Sequence, residues 1–266
     1  MSEEYQVTAA VTALRATPDD EGAMDTQLLH GEVFLVEERE GDWAYGTARR
    51  DGYQGWVRRA DMAQPVLIST HRVSALRTYA YAEPDIKSRP VGLVSINAKI
   101  ASARREGRFV EAQRLGWVFE QHLAVLGAAE TDYVAVAERF LHTPYLWGGR
   151  DSIGLDCSGL VQSALEAAGV RGFPRDTKDQ EEWAARRWGN VPVSDDFSGL
   201  QRGDLVFWPG HVGIMTDSRT LLHANAHHML TVAEPLATAA RRIAFHHAPV
   251  RTICRPPAET GWTGMM

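Results

Sequence analysis

Cysteine is scarce in this chain: Cys157 and Cys254 are its only two cysteines in 266 residues. Long apolar runs are absent as well, and the mean hydropathy is −0.27. No window approaches the length of a membrane span. The opening residues 1–6 are polar and acidic, and no apolar stretch of signal-peptide length follows them. These features predict a cytoplasmic protein without a membrane partner, in which both cysteines are free thiols.

A basic stripe is also lacking. The formal net charge is −6, and acidic and basic residues are interspersed along the chain rather than segregated. A nucleic-acid-binding domain needs a concentrated positive surface, so this composition excludes nucleic acid as an expected partner. Hydrophobic residues make up 44% of the chain, which is enough for more than one core.

The segment Asp156-Cys157-Ser158-Gly159 places one cysteine where a loop turns into a helix. The loop is the glycine-rich and aromatic run 143–149, and apolar residues at helical spacing follow from Leu160 to Ala168. A cysteine in a first helical turn faces unpaired N–H groups and the positive end of the helix dipole, which favour a reactive thiolate. The alternative is a small buried cysteine with no chemical role.

Two histidines occur where a base for this thiol would be needed. His211 opens the apolar run 211–215 after a Pro-Gly break, and His223 lies in the next apolar run, after a turn at Asp217-Ser218. A hairpin brings such residues side by side, so one imidazole can take the thiol proton while the other orients it. Taken alone, the two histidines are better explained as ordinary strand residues.

Together these segments resemble the NlpC-type cysteine peptidases, which are bacterial cell-wall hydrolases with a papain-like fold. The resemblance covers about residues 130–250 and rests on five segments in the family's order, which read YLWGG, DCSGLV, FPRDTKDQ, GDLVFW with HVGIM, and LLHA. It implies that Cys157 is the nucleophile, His211 the general base and His223 the third polar residue. It also implies that Tyr145 lies beside the nucleophile, and that no cofactor is required.

An internal repeat precedes this region. Val11-Thr12-Ala13-Leu14-Arg15 returns as Val73-Ser74-Ala75-Leu76-Arg77, and Gly55-Trp56-Val57 returns as Gly116-Trp117-Val118. Short apolar runs separated by polar turns predict small β-barrels, which look like bacterial SH3-type domains. The predicted fold class is therefore α+β multidomain, with SH3-like domains at 1–63 and 64–126, a papain-like NlpC-type domain at 127–255 and a tail at 256–266.

NlpC-type enzymes with paired SH3-like domains and no signal peptide resemble the γ-D-glutamyl-L-diamino acid endopeptidases of murein peptide recycling. The resemblance implies a small murein peptide as substrate, L-Ala-γ-D-Glu-L-diamino acid, cut after the γ-linked glutamate. Whether the diamino acid is diaminopimelate or lysine stays open, as do the oligomeric state and the role of the second SH3-like domain.

The same resemblance suggests which residues bind the substrate. Asp176 matches an acid that holds the free amino group, and Tyr53 matches a tyrosine of the first SH3-like domain that closes the groove, while Asp156 and Ser158 flank the nucleophile in the same subsite. Asp176 is alternatively a helix N-cap, and Tyr53 a barrel-surface aromatic. Relatives often carry a further acid where this chain has Ala23, so a wider tolerance for the peptide's amino end is an alternative.

Three other functions compete with this prediction. His223, His227 and His228 are close enough in sequence to suggest a metal site, although no cysteine or acid completes a convincing ligand set. A non-catalytic protein that binds wall peptides is the second alternative. The third is different papain-like chemistry on the same residues, as in an amidase, thioesterase or acyltransferase.

Overall fold

The computed structural model describes residues 2–194 and 196–257, and the chain divides into two compact units, residues 1–128 and residues 129–266. The predicted tail at 256–266 lies outside the described residues from position 258 onward. Both predicted SH3-like domains fall within the first unit. None of the helices in the described part of the chain has the length and apolar character needed to cross a bilayer.

The first β module is a seven-stranded antiparallel sheet with the order β3-β2-β6-β5-β4-β1-β7. Its core consists of alternate, inward-pointing residues such as Leu14, Leu28 and Phe34, all fully buried. Its strands are β1 Glu3–Val7, β2 Val11–Arg15, β3 Met24–Leu29, β4 Val33–Glu40, β5 Trp43–Ala48, β6 Gln54–Arg58 and β7 Met62–Ala63.

The second β module follows the same pattern but splits into two sheets, β10-β9-β14-β13-β12 and β11-β8-β15. A short 3-10 turn follows β14, as one follows β6, so the repeat seen in the sequence is also a repeat of local structure. Its strands are β8 His71–Val73, β9 Arg77–Tyr81, β10 Pro90–Ser95, β11 Lys99–Ile100, β12 Ser102–Glu106, β13 Phe109–Ala112, β14 Gly116–Phe119 and β15 Leu123–Val125.

The two β modules share a core. Leu29 of the first module packs in a buried cluster whose other buried members, among them Val73 and Val118, all belong to the second. The backbone N–H of Lys99 donates to the His30 carbonyl at 2.8 Å. At Gly31, between Leu29 and β4, φ is +79° and a Cβ would lie 2.1 Å from the Lys99 carbonyl oxygen, so only glycine fits this junction.

The second unit is an α+β domain around a six-stranded antiparallel sheet of order β18-β23-β19-β20-β21-β22. Adjacent registers pair Trp208 with His211, and His223 with Val232. The elements of this unit are α1 Tyr133–Glu138, β16 Arg150–Asp151, β17 Gly154–Leu155, α2 Cys157–Ala167, α3 Thr177–Trp188, β18 Asn190–Val191, β19 Leu205–Trp208, β20 His211–Met215, β21 Thr220–Asn225, β22 Leu230–Pro235, α4 Leu236–His246 and β23 Thr252–Cys254.

Helix α2 is the central helix of this unit and packs against β20 and β21. It begins at the cysteine because the Asp156 side chain accepts the Gly159 N–H at 2.7 Å, which is an N-cap. It ends before Gly169, where φ is +92°. Leu160, Val161 and the apolar residues that follow are fully buried, so this helix fixes the position of its first residue against the sheet.

Candidate active site

Cys157 is the first residue of α2, and its side chain is directed toward the start of β20. Its sulfur accepts hydrogen bonds from the backbone N–H groups of Val212 and Ser158. Val212 follows His211, so the thiol lies against the strand that carries the predicted base. The residue is only 7% exposed, because α2 and the sheet cover most of it.

Burial dominates the chemistry of this thiol. It raises the pKa of Cys157 to about 12, with a further contribution from the Asp156 carboxylate, and the N–H groups of Val212 and Ser158 offset only part of that rise. The sequence-based prediction of a thiolate stabilised by the helix start is therefore wrong for the free protein. The helix start does supply an N–H group to the sulfur, but loss of water outweighs it.

His211 and His223 form a hydrogen-bonded pair on neighbouring strands. His211 Nε2 lies 2.8 Å from His223 Nδ1, and the His223 side chain is fully buried. Burial, together with the neighbouring His223 ring and the Arg242 guanidinium, lowers the pKa of His211 to about 3. Burial likewise lowers the pKa of His223. Both rings are therefore neutral at physiological pH, and a neutral imidazole is the form that accepts a proton.

Two further residues continue this chain, and the sequence reasoning missed both. His223 Nε2 lies 2.8 Å from Glu234 Oε1, and Arg242 donates to both Glu234 oxygens at 2.8 and 2.5 Å. Glu234 lies on β22 two residues from Val232, the register partner of His223, which puts both side chains on one sheet face. The sequence indicated a strand after the His227-His228 turn, but it did not indicate the register in which that strand pairs with the strand of His223.

The metal alternative conflicts with these contacts. Both ring nitrogens of His223 already have partners, His211 on one side and Glu234 on the other. His228 Nδ1 lies 3.0 Å from Asn225 Oδ1 within the hairpin loop. A metal ion would have to displace one of these partners to bind His223.

Tyr145 lies beside the thiol. Burial raises the pKa of its hydroxyl, and the neighbouring Cys157 and Asp156 side chains raise it further. The Tyr145 N–H donates to the Met229 carbonyl at 3.0 Å, which holds the loop before α2 against the β21–β22 hairpin. Its phenol therefore stays protonated and can donate a hydrogen bond next to the nucleophile.

Asp156 and Ser158, predicted to line a substrate subsite, are engaged inside the domain. Arg175, buried as well, donates to both Asp156 oxygens at 3.0 and 2.7 Å and to Ser158 Oγ at 2.6 Å. Asp156 also accepts the Gly148 N–H at 2.9 Å, in addition to the helix cap at Gly159. This network joins the loop before α2, the helix start and the segment before α3, and a substrate-binding role for the two residues stays a prediction.

The other two predicted substrate residues occupy different parts of the chain. Asp176 is exposed and stands at the N-cap position of α3, but its side chain accepts no capping hydrogen bond from the first turn. Tyr53 belongs to the first unit, where it packs against the core of the first β module. Its predicted role as the end of the groove stays a prediction.

Comparison with known proteins finds two family matches in this chain. Residues 142–247 match the model of the NlpC/P60 family, and residues 14–62 match that of the bacterial dipeptidyl-peptidase Sh3 domain. The γ-D-glutamyl-L-lysine dipeptidyl-peptidase of Bacillus subtilis strain 168 is 28% identical over 226 residues, covering 77% of this chain and 73% of that protein. Dipeptidyl-peptidase 6 of Lysinibacillus sphaericus is 28% identical over 245 residues, covering 82% and 86%.

The C-terminal half of the chain contains an NlpC/P60 domain. A solved NlpC/P60 family protein from Bacillus cereus ATCC 10987 superimposes with a TM-score of 0.78 at 18% identity, covering 95% of this chain and 99% of that one. The predicted fold class is thereby confirmed: a β-rich SH3-like region precedes an α+β NlpC/P60 domain.

The NlpC/P60 domain thus presents a thiol, a neutral imidazole and a buried polar chain behind that imidazole. Such a set can carry out nucleophilic attack with general-base assistance, the chemistry of a cysteine peptidase. Because the pKa of the thiol is raised and that of the imidazole is lowered, the resting pair holds its proton on sulfur, and His211 is in the form that can accept it.

A protonated resting thiol predicts slow alkylation at neutral pH. With a pKa near 12, the thiolate fraction of Cys157 at pH 7 is on the order of one part in 10⁵ and rises about tenfold per pH unit. In a Cys254→Ser background, the rate of iodoacetamide labelling, followed by intact-mass spectrometry, should climb steadily from pH 7 to pH 10. Glutathione, labelled in parallel, should level off within that range. A Cys157 rate that is already constant below pH 8 would contradict the prediction.

Proposed function

We propose that this protein is a cysteine endopeptidase that hydrolyses the γ-D-Glu–L-diamino acid bond of cell-wall peptides with a free N-terminal L-Ala. The contact that carries the proposal is the His211–His223 hydrogen bond at 2.8 Å beside a thiol held by the Val212 N–H. The substrate class comes from the relatives, whose names specify γ-D-glutamyl-L-lysine and dipeptidyl peptidase activities.

The proposed reaction has two steps. His211 takes the proton of Cys157 as the sulfur attacks the γ-carbonyl carbon, and it then gives that proton to the departing amine of the diamino acid. The resulting thioester is hydrolysed by water, which His211 activates in turn. The products are the dipeptide L-Ala-D-Glu and the remainder of the peptide, beginning with the diamino acid. Tyr145 donates a hydrogen bond beside the reacting sulfur.

Product analysis tests this proposal. Incubation with L-Ala-γ-D-Glu-diaminopimelate should release L-Ala-D-Glu and free diaminopimelate in equal amounts, as measured by mass spectrometry. The lysine analogue, tested in parallel, compares the two diamino acids. Release of ammonia, hydrolysis of a thioester or acyl transfer without peptide cleavage would favour the alternative papain-like chemistries. Binding without any turnover would favour a wall-peptide binding protein.

Asp176 provides the test of free-amine recognition. It is exposed at the N-cap position of α3, and an exposed carboxylate can form a charge-assisted hydrogen bond with an ammonium group. Asp176→Asn should raise KM for the free peptide about 10- to 100-fold, as expected for loss of a charge-assisted hydrogen bond. It should leave the slow turnover of the N-acetylated peptide unchanged.

The matched control for this substitution is Asp179→Asn, because Asp179 is an exposed acid in the first turn of the same helix. It should not change KM for either peptide. Equal rates for free and acetylated peptides in the unmodified protein would refute amine recognition. If both substitutions raised KM for the free peptide equally, the cause would be the loss of a negative charge near the start of α3 and not a contact made by Asp176.

We also propose a cytoplasmic setting, in which the enzyme degrades imported murein peptides for recycling. Both cysteines are free thiols, as a reducing compartment keeps them. Cell fractionation with an antibody against the chain would test the location, and detection outside the cytoplasmic membrane would contradict it.

A further inference from the structure

A continuous hydrogen-bond chain runs from α4 to the edge of the active site. Arg242 on α4 holds Glu234 on β22, Glu234 contacts His223 on β21, and His223 contacts His211 on β20. The Glu234 side chain is 12% exposed and that of Arg242 is 18% exposed. The chain is therefore mostly shielded from water, where hydrogen bonds between charged and polar groups are strongest.

The direction of each hydrogen bond follows from the charge at one end. Burial disfavours the ionised form of Glu234, but hydrogen bonds from Arg242 and His223 outweigh it and hold the Glu234 pKa well below its usual range. An ionised carboxylate only accepts, so His223 must carry its proton on Nε2. Neutral His223 then has its lone pair on Nδ1, which accepts the Nε2–H of His211. Neutral His211 is left with its lone pair on Nδ1.

We propose that Glu234 and Arg242 are positioning residues, which together with His223 fix the tautomer of His211 so that Nδ1 is free to accept the Cys157 proton. This inference rests on the proposed function, because it assumes that the Cys157 thiol must lose a proton to act as nucleophile. It differs from that function in naming what prepares the base, and it extends the site to residues that never touch substrate.

The same hydrogen bonds also stabilise the positive charge that forms on His211 during the reaction. When Nδ1 takes the thiol proton, His211 becomes a cation while the sulfur becomes bonded to the carbonyl carbon. The Nε2–H of His211 then donates to His223, whose own Nε2–H donates to the Glu234 carboxylate, and no proton leaves the chain. Glu234 remains ionised throughout, because Arg242 stays bound to both of its oxygens.

A purely mechanical role is the competing explanation. Glu234 and Arg242 also tie α4 to β22, and a loss of stability alone would follow from breaking that link. His228 is the other titratable side chain facing Glu234, with Nδ1 at 3.9 Å from Oε1, and it could keep the carboxylate partly engaged. The decisive measurement must therefore report on the imidazole tautomers directly, in addition to activity.

Glu234→Gln separates the two explanations. In this variant the amide oxygen takes the Oε2 position and keeps one Arg242 N–H, while the amide NH₂ takes the Oε1 position, where it displaces the second Arg242 N–H and donates to His223 Nε2. The order of donors along the chain then reverses, and His211 carries its proton on Nδ1, where it cannot serve as base. We expect kcat to fall about 100-fold with KM unchanged, which is the low end of what general-base catalysis contributes. Glu234→Asp, which keeps a carboxylate, should recover part of the loss.

The tautomers are read from the ¹⁵N chemical shifts of His211 and His223 at pH 7 in the full-length protein without substrate. Wild type should show His211 protonated on Nε2 alone, and Glu234→Gln should show it protonated on Nδ1 alone. Glu138→Gln is the matched control, since Glu138 forms a comparable ion pair with Arg202 away from this chain. It should change neither the shifts nor kcat.

The outcomes are distinct. Unchanged tautomers in Glu234→Gln, or a wild-type His211 protonated on Nδ1, would overturn the positioning role. Reversed tautomers with the predicted loss of kcat would support it. If the wild-type protein cleaves no murein peptide, the proposed function fails, but the ¹⁵N shifts still decide whether Glu234 sets the tautomer of His211.

Discussion

Cys157→Ala is expected to abolish peptide hydrolysis, lowering turnover by at least about 10⁴-fold, without loss of the fold. The reason is chemical: the substitution removes the sulfur, which is the atom that attacks the carbonyl carbon in the proposed reaction. The cost to stability should be small, because alanine favours the helix and the missing atom is small. The measurements are release of diaminopimelate followed by mass spectrometry, and thermal unfolding of the same preparations.

Cys254→Ala is the matched control for this variant. Cys254 is buried on β23, burial also raises its pKa to about 12, and its sulfur contacts Asn190 Oδ1 at 3.6 Å rather than a base. This substitution should leave turnover unchanged. Substantial activity in Cys157→Ala, or an equal loss in Cys254→Ala, would refute the assignment of the nucleophile.

Arg175→Met is expected to have the largest effect on stability, destabilising the catalytic unit by about 3–5 kcal/mol. The Arg175–Asp156 pair is buried, so removing the guanidinium leaves a carboxylate with no compensating charge beside the first turn of α2. The loss should appear as a lower free energy of opening for the α2 amides, measured by hydrogen exchange. Activity should fall as well, because the loop before α2 and the helix start lose a common anchor.

Arg202→Met is the control for this second prediction. Arg202 also binds two carboxylates, those of Asp132 and Glu138, but its side chain is 39% exposed. Exposed ion pairs contribute about 0–1 kcal/mol, so this substitution should change the opening energies little. Similar losses in the two variants would show that burial of the Arg175–Asp156 pair does not matter. If hydrogen exchange of the α2 amides is unchanged in Arg175→Met, the Arg175–Asp156 pair does not hold the helix start. The predicted role of Asp156 in substrate binding would then be the remaining explanation for this residue.

The sequence predicted local features better than pairings between distant segments. The helix that begins at Cys157 was readable because Asp156, the small residues after it and Gly169 each have a local role in starting or ending a helix. The positions of His211 and His223 on consecutive strands followed from a short turn at Asp217. The repeat was readable because Gly55-Trp56-Val57 recurs with its spacing intact.

What could not be predicted depended on register and burial. Glu234 comes to lie beside His223 only because β21 pairs with β22 in a register that places Val232 opposite His223. Arg242 reaches the same carboxylate from a helix that the sequence reasoning did not assign. The pKa of Cys157 was expected to fall, since the helix dipole is visible in a sequence whereas the extent to which the sheet covers the sulfur is not. The engagement of Asp156 by Arg175 likewise depends on a segment that is distant along the chain.

Leu29, which is buried among residues of the second β module, couples the stability of the two modules. Leu29 lies in one buried cluster with Val73 and Val118, and Gly31 leaves no space between the backbones, so neither β module can be removed without disturbing the other. A chain that contained only one of the modules would expose to water the apolar side chains that the other module covers. We therefore expect the two modules to unfold as one cooperative unit rather than as two independent domains.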